Sequence, residues 1–284
     1  MKSIKKILLP VKFTEDSFKV VRTAAEIARI RGAKLILLHV YHRPVVLRPQ
    51  SRMVDKEMSG QMEKFELHRK ERRIRRYYAQ LLVAVPELDR VEHGFITRIG
   101  TVLNSIKAVS EKQEVDLIIM GSSSMGSGAR FMTGKAVNLC LQIKTPVLIL
   151  PYLHSITRPI KVAFAYDMKA IQNFESLQTM GELARYYESD LNIVTVQRPG
   201  EAFNPKQEAN LSKLREEFSD LNPNVHTIEH DNVAKGIMEY ISKNQISILV
   251  ILHRSRGFIE ELFHSSFTKK MALKSGVPVL ALDE

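Results

Sequence analysis

A stretch rich in glycine and serine, MGSSSMGSGARFMTGK, runs from Met120 to Lys135, between an apolar run and a segment with helical periodicity. A turn of this composition between a strand and a helix is where many α/β proteins bind phosphate. Free backbone N–H groups and the positive end of the helix dipole point to the same place there. The stretch therefore indicates either a loop that binds phosphate or one that only turns the chain between the strand and the helix. It is not a Walker loop, because Gly134 and Lys135 are followed by Ala136 and not by a hydroxyl residue.

Histidine and cysteine give no pattern typical of a metal or nucleophile site. Two of the nine histidines, His226 and His230, are four residues apart but flank a predicted strand, and His253 and His264 stand at opposite ends of one loop. No Cys-x-x-Cys or His-Glu-x-x-His motif accompanies them. No Gly-x-Ser-x-Gly turn presents a serine nucleophile. We expect no metal and no catalytic residue, and the single Cys140 allows no internal disulfide.

A basic run, HRKERRIRRYY, falls in a predicted helix over 61–83. At 100° per residue its six cations cannot share one face. Four of them form a stripe at i, i+3, i+4 and i+7, namely Arg69, Arg72, Arg73 and Arg76. Such a stripe attracts phosphates, but a solvated face with intrahelical ion pairs is the interpretation we favour. No aromatic platform or nucleic-acid motif accompanies the stripe, so we do not expect nucleic-acid binding.

Charge is unevenly distributed along the chain. Residues 1–150 contain 27 Lys and Arg against 14 Asp and Glu, a net +13, whereas residues 151–284 contain 15 against 17, a net −2. The whole chain of 284 residues carries +11. Such asymmetry is typical of proteins with an anionic partner. No apolar stretch approaches the ~20 residues of a membrane span, and we expect a cytoplasmic protein without membrane attachment.

The elements that must position these residues alternate between strand and helix. Apolar runs predict strands, and runs with 3.6-residue periodicity predict helices, the first from an N-cap at Thr14 to Arg31 with Gly32 as its stop. In chain order the first half reads as IKKILLPV (strand), helix, AKLILLHVY (strand), the helix over 61–83, GFITRIG (strand), TVLNSIKAVSEKQ (helix), VDLIIMG (strand), a helix over about 131–143 and TPVLILP (strand). This alternation is typical of βαβ units with a parallel sheet.

The pattern then begins again, which indicates an internal repeat. RPIKVAFAYD matches KSIKKILLPV, ARYYESDLNIVTVQ matches ARIRGAKLILLHVY, NPNVHTIEH supplies the third strand, and SGVPVLALDE matches IKTPVLILPY. The predicted domains are residues 1–151, with an insertion at about 42–60, and residues 158–284. Both final strands are apolar, so we expect the two domains to pair through them.

Together these motifs resemble the universal stress protein family in its tandem two-domain form. The resemblance covers essentially the whole chain. It implies two tandem Rossmann-like, doubly wound α/β domains, each a five-stranded parallel sheet flanked by helices. It also implies that the domains pair around a pseudo-two-fold axis, as separate family members dimerise.

The resemblance also implies where a nucleotide would bind. Binding members of the family carry an Asp after the first strand, use the backbone at the end of the second strand, and hold phosphate with Gly-x-x-Gly, nine residues, then Gly-Ser or Gly-Thr. In the first repeat Val40, Gly121 and Gly134 match this pattern. The other positions, Lys12, Ser124 and Lys135, depart from it, although Lys135 can meet a phosphate as a point charge. We therefore expect no useful ATP affinity in the first repeat.

The second repeat departs from the pattern differently. Asp167 keeps the acidic position and Val196 ends the second strand, but Leu252 and Ser255 replace the two glycines. The remaining candidates for this site are His253, Arg254, Ser255, Ser265 and Ser266, with Ser266 at the hydroxyl position. The alternative interpretation is that Asp167 caps a helix beginning near Met168 and that both serines cap the helix after them.

The resemblance favours a non-enzymatic stress-response module that binds a ligand or a partner, with degenerate nucleotide sites and no required cofactor. ATP, another adenine nucleotide or another small phosphorylated molecule is the expected ligand, and an unidentified protein is the expected partner. One alternative is a nucleotide-binding sensor with slow ATPase activity in the second domain. Another is an accessory protein that binds nucleic acid or an anionic partner through the basic first half. The sequence leaves open whether the protein forms a homodimer.

Overall fold

The structure is a computed structural model that describes residues 4–12, 14–42, 56–122, 143–151, 160–253 and 277–284. It forms two compact units. The first unit is Lys5–Glu114, and the second is Val115–Glu284 with Ile4.

The first unit is a three-stranded parallel sheet with helices. Its strands are β1 (Lys6–Pro10), β2 (Lys34–Tyr41) and β3 (His93–Ile99), in the order β3-β2-β1. Its helices are α1 (Glu15–Arg31), α2 (Lys56–Ala84) and α3 (Val102–Gln113), with a 3₁₀ helix at Pro86–Arg90.

Local chemistry sets the helix ends of the first unit. α1 stops at Gly32, which takes the left-handed conformation with φ of 60°, as predicted. The hydroxyl of Thr101 accepts a hydrogen bond from the Asn104 amide at the start of α3. α2 begins at Lys56, inside the predicted insertion and earlier than the predicted start at 61.

The second unit contains a seven-stranded sheet in the order β4-β5-β10-β9-β6-β7-β8. The strands are β4 (Leu117–Ser122), β5 (Val147–Pro151), β6 (Lys161–Ala165), β7 (Asp190–Gln197), β8 (Asn224–Glu229), β9 (Ile248–His253) and β10 (Val279–Asp283). The helices are α4 (Gln178–Tyr187), α5 (Pro205–Glu217) and α6 (Val233–Asn244), with 3₁₀ helices at Phe174–Leu177 and Ser219–Leu221. The five strands of the second repeat, β6 to β10, are all parallel, which confirms the predicted class.

One antiparallel pair joins the last strands of the two repeats. Leu280 of β10 pairs with Leu148 of β5, flanked by the pairs Val279–Ile149 and Ala281–Val147. Both strands are buried almost throughout. The predicted pairing of these strands is therefore confirmed, and its antiparallel sense is what a pseudo-two-fold axis between equivalent strands produces.

Buried apolar side chains fill both faces of the central strands, as continuous apolar runs in parallel sheets predict. Among the largest fully buried side chains are Leu8, Leu37, Phe164 and Phe218. No helix in the described part of the chain is both long enough and apolar enough to cross a bilayer.

Candidate functional site

Strand order reverses at β6 in the second unit. From β6 the chain proceeds to β7 and β8 on one side of the sheet, and later returns to β9 and β10 on the other side. The register pairs Ala165 of β6 with Val194 of β7 and with Ile251 of β9. In open α/β sheets the crevice outside the carboxyl ends of such strands is where ligands bind.

Three of the predicted site residues lie at this edge of the sheet. Asp167, Val196 and His253 each follow the paired Ala165, Val194 and Ile251 by two residues, so the three positions lie at a similar level beside one another at the carboxyl edge of the sheet. The sequence alone could not establish this level, because it depends on the pairing register.

Asp167 lies in a tight turn after β6. Its Oδ1 accepts a hydrogen bond of 3.1 Å from the Lys169 amide, and its Oδ2 is 3.8 Å from Lys169 Nζ. The side chain is 14% exposed. The residue between them, Met168, has a left-handed φ of 61°, a conformation that non-glycine residues adopt only when their surroundings hold them there.

Two further hydrogen bonds hold this turn. The Tyr166 hydroxyl donates to the Lys169 carbonyl at 2.7 Å, and Asn210 Nδ2 donates to the Met168 carbonyl at 3.0 Å. The turn therefore fixes the Asp167 carboxylate at the edge of the sheet. The alternative that Asp167 caps a helix near Met168 is wrong, because the next helical segment is the 3₁₀ helix Phe174–Leu177.

The first turn of α6 packs closely against Val196. A Cβ added to Gly236 would lie 3.0 Å from His230 Cβ and 3.4 Å from Val196 Cγ1, so the backbone of the helix approaches both residues closely. Asn232 caps α6 by accepting from the Lys235 amide at 2.9 Å. The positive end of α6 thus faces the same edge of the sheet.

Two of the histidines that sequence analysis considered for metal binding, His226 and His230, have hydrogen-bond partners. His226 Nε2 lies 3.1 Å from Asn192 Oδ1, and His230 Nδ1 accepts from the Asn232 amide at 2.8 Å. Among the described residues no group of three or more His, Cys, Asp or Glu side chains could hold a metal ion.

Sequence analysis missed the polar network that includes His226. The Asn192 side chain is buried in β7, and its Oδ1 also accepts from the Tyr240 hydroxyl at 3.3 Å. Burial lowers the pKa of His226 and raises that of Tyr240. An asparagine inside an otherwise apolar strand, NIVTV, was the one available signal.

The first unit presents no carboxylate at the position equivalent to Asp167. Lys12 is exposed there, and its carbonyl accepts hydrogen bonds from the Thr14 amide at 3.0 Å and from the Ser17 hydroxyl. Val40 is half-buried near the end of β2 and pairs with Arg98 of β3. This edge therefore offers an exposed cation where the family pattern has an acceptor.

Side chains of the first unit crowd the end of β2. His39 Nδ1 is 3.1 Å from the Val11 carbonyl, and burial lowers the pKa of His39, with the nearby Lys70 adding to the effect. Lys70 Nζ donates to the His42 carbonyl at 2.7 Å and lies 5.6 Å from the centroid of the Tyr41 ring. These contacts of Lys70 hold helix α2 against the end of β2.

The remaining predicted residues are placed only in part. Gly121 is buried at the end of β4, paired with Leu150. Seven of the residues that sequence analysis discussed lie outside the described residues: Ser124, Gly134, Lys135, Arg254, Ser255, Ser265 and Ser266. Their part in binding stays a prediction.

Comparison with known protein families decides the family. A model described as "Universal stress protein family" matches residues 3–151 and again residues 161–283. The chain belongs to the universal stress protein family. The two matches confirm the tandem form that the repeat predicted. No curated protein sequence matches the chain.

Solved structures similar to this universal stress protein share its fold over its whole length. A universal stress protein from Archaeoglobus fulgidus DSM 4304 is 19% identical, with 99% of this chain and 97% of that chain covered and a TM-score of 0.69. A putative universal stress protein from Pseudomonas aeruginosa UCBPP-PA14 is 14% identical, with 99% and 94% covered and a TM-score of 0.57. The cytoplasmic domain of a prokaryotic cation chloride cotransporter is 13% identical, with 98% and 95% covered and a TM-score of 0.57. At these identities the likeness establishes the fold alone.

Within the universal stress protein fold, the two repeats of this chain differ in what they place at the end of the first strand. The second repeat has the fixed carboxylate of Asp167, and the first has the exposed Lys12. A carboxylate is therefore present at this position in the second repeat, and an exposed lysine stands there in the first.

Proposed function

We propose that this universal stress protein is a non-enzymatic binding module for a small phosphorylated ligand, with an adenine nucleotide as the foremost candidate. The ligand would lie at the carboxyl edge of the second unit. One observation carries the proposal: Asp167, Val196 and His253 each lie two residues beyond the paired Ala165, Val194 and Ile251 of neighbouring parallel strands, where the strand order reverses.

Each group has a distinct role in the proposed complex. Asp167 accepts hydrogen bonds from the hydroxyls of the nucleoside, and its turn keeps the carboxylate in place without a ligand. The backbone at Val196 meets the edge of the base. The predicted phosphate contacts are Arg254 and Ser266. A cation and a hydroxyl suit phosphate because charge-assisted hydrogen bonds are about twice as strong as neutral ones.

The same site would serve the alternative function, a nucleotide sensor with slow ATPase activity. Binding and hydrolysis are separable by experiment. Phosphate release from ATP, measured with the full chain at saturating nucleotide, would have to exceed the release in buffer for the ATPase to stand. We expect no such excess.

Calorimetric titration of the full chain with ATP, ADP, AMP and inorganic phosphate tests the binding proposal. Asp167→Asn keeps an acceptor for the Lys169 amide but loses the charge, so we expect nucleotide affinity to fall about tenfold or more, with little change in melting temperature. Asp190→Asn removes an exposed carboxylate at the opposite, amino end of β7 and serves as the matched control. The proposal is wrong if no nucleotide binds at millimolar concentration, or if both variants lose affinity equally.

A further inference from the structure

Helix α2 has a well-defined buried face. It is 29 residues long, about 43 Å at 1.5 Å per residue. Ile74 and Leu81 are 5% and 0% exposed. Tyr78 stacks on Phe95 of β3, with ring centroids 4.3 Å apart. These contacts fix which side of the helix points to solvent.

Four arginines occupy the opposite side. At 100° per residue Arg69, Arg72, Arg73 and Arg76 fall within an arc of about 100° that excludes Ile74 and Leu81, and all four are exposed. We call these four residues the arginine face.

Two arginines of the arginine face contact other residues of α2. Arg69 Nη2 lies 3.3 Å from Glu66 Oε2, and Arg73 Nε donates to the Tyr77 hydroxyl at 2.9 Å. Exposed pairs of this kind contribute little and exchange readily for other partners. An open cavity of about 610 Å³ beside the helix is lined by Glu66, Arg69, Lys70, Arg72, Arg73 and Arg76. Five cations and one carboxylate give this cavity a net positive lining, which favours anionic groups.

Exposed apolar side chains stand at both ends of the same face. Met62 is 53% exposed, Phe65 is 61% exposed and Val83 is 85% exposed. By helical angle all three fall in the arc of the arginine face or at its border. They are three of the five large apolar side chains that the described part of the chain exposes. From Met62 to Val83 the face extends about 32 Å.

We propose that this face docks an acidic amphipathic helix of a partner protein, with carboxylates opposite the arginines and apolar side chains opposite Met62, Phe65 and Val83. Arginine, methionine and aromatic residues are enriched at protein interfaces. Two copies of this chain do not pair through this face, because two arginine faces and the net +13 of residues 1–150 would repel each other.

Two other anionic surfaces fit the face less well. Nucleic acid would neutralise the arginines but leave the apolar side chains at both ends in water. Interfacial membrane helices separate the cations from the apolar stripe, whereas here both kinds of residue share one line along the helix. A protein helix satisfies the charges and the apolar ends together.

The test uses the full chain and a synthetic helical peptide as probe. The peptide carries Glu at i, i+3, i+4 and i+7 between leucines at its two ends, and a version with Gln for Glu is its control. Fluorescence anisotropy should show binding to the Glu peptide that weakens with salt, and little binding to the Gln peptide. Replacing Arg69, Arg72, Arg73 and Arg76 together by Gln should weaken binding on the order of thirtyfold.

A charge-matched variant separates the face from general electrostatics. It replaces four exposed cations outside α2 by Gln, namely Arg29, Arg90, Lys107 and Lys112. We expect the affinity of this variant for the Glu peptide to fall by no more than about threefold, because screening weakens the effect of distant charges. Equal losses in both variants, or no binding of the Glu peptide, overturn the proposal.

Substitution of the apolar residues at one end of the face tests which class of partner binds there. Met62→Ser with Phe65→Ser should weaken peptide binding about tenfold and leave any binding of duplex DNA unchanged. If duplex DNA, or phosphatidylcholine vesicles containing phosphatidylserine, bind more tightly than the peptide and lose affinity in the four-arginine variant, the partner is of that class and the proposal is wrong.

Discussion

At the scale of single residues, the second unit contains a buried polar network whose groups satisfy one another. Asn192 is 7% exposed, and its Nδ2 donates to the Val162 carbonyl at 3.3 Å. Its Oδ1 accepts from His226 and from Tyr240. A buried amide without these partners would cost about 1–3 kcal/mol. The network therefore ties β7 to β8 and α6 by hydrogen bonds.

The stability of the protein should fall as pH falls through about 6.5, because burial lowers the pKa of folded His226 below that of the unfolded chain. The unfolded state then takes up the proton first, and protonation favours unfolding. His226→Gln keeps an N–H donor for Asn192 but cannot titrate. We expect its melting temperature to drop less than that of the wild type between about pH 8 and pH 5.5.

His68→Gln, at an exposed position on α2, is the control and should follow the wild-type profile. Burial also lowers the pKa of His39, so part of the drop in melting temperature at low pH should remain in His226→Gln. This drop should become smaller when His39→Gln is added. A profile for His226→Gln that matches the wild type would refute this account.

At the scale of elements, α4 depends on a close approach to the segment after α5. A Cβ added to Gly181 would lie 2.8 Å from Phe218 Cε1 and 3.0 Å from Arg185 Nη1. Arg185 forms two hydrogen bonds with Asp220, at 2.6 and 3.1 Å. The glycine is thus a packing requirement inside a helix, where its propensity alone would disfavour it.

Gly181→Ala should destabilise the protein by about 1–3 kcal/mol, because the clash with the fully buried Phe218 outweighs the roughly 1 kcal/mol gained in helix propensity. Chemical denaturation gives the free energy of unfolding. Ser242→Ala, at an exposed position of α6, should be neutral or slightly stabilising. A stabilised Gly181→Ala variant would mean that Phe218 has room to move.

At the scale of the whole molecule, the pairing of β5 with β10 explains two apolar final strands. Each would be an aggregation hazard as an exposed edge. In the structure Val147, Leu148 and Ile149 face Ala281, Leu280 and Val279 in one ladder. The pairing removes an open edge from the end of each repeat.

Amides of β5 and β10 should therefore exchange hydrogen slowly, at rates comparable to those of the central strand β9. β8 provides the internal comparison, because it is the last strand in the order of the second unit and pairs with β7. Mass spectrometry of exchange in the full chain should show slower exchange in β5 and β10 than in β8. Exchange in residues 147–149 and 279–281 as fast as in β8 would contradict the pairing.

The sequence by itself determined the class, the repeat and most element ends of this protein, because these depend on local patterns. Continuous apolar runs predict strands buried on both faces, and a glycine such as Gly32 marks a helix end wherever the chain is placed. The pairing of the final strands was also predicted from sequence, since two apolar edges need cover, and the structure adds that the pair is antiparallel.

Only the tertiary structure decided how the site and the surfaces are arranged, because these depend on residues distant along the chain. Asp167, Val196 and His253 reach one level through the pairing register of three strands. Asn210, 42 positions beyond Met168, holds the turn after Asp167, and no local pattern marks that contact. The arginine stripe was visible in the sequence, but its exposure followed from the side of α2 that packs through Ile74, Tyr78 and Leu81.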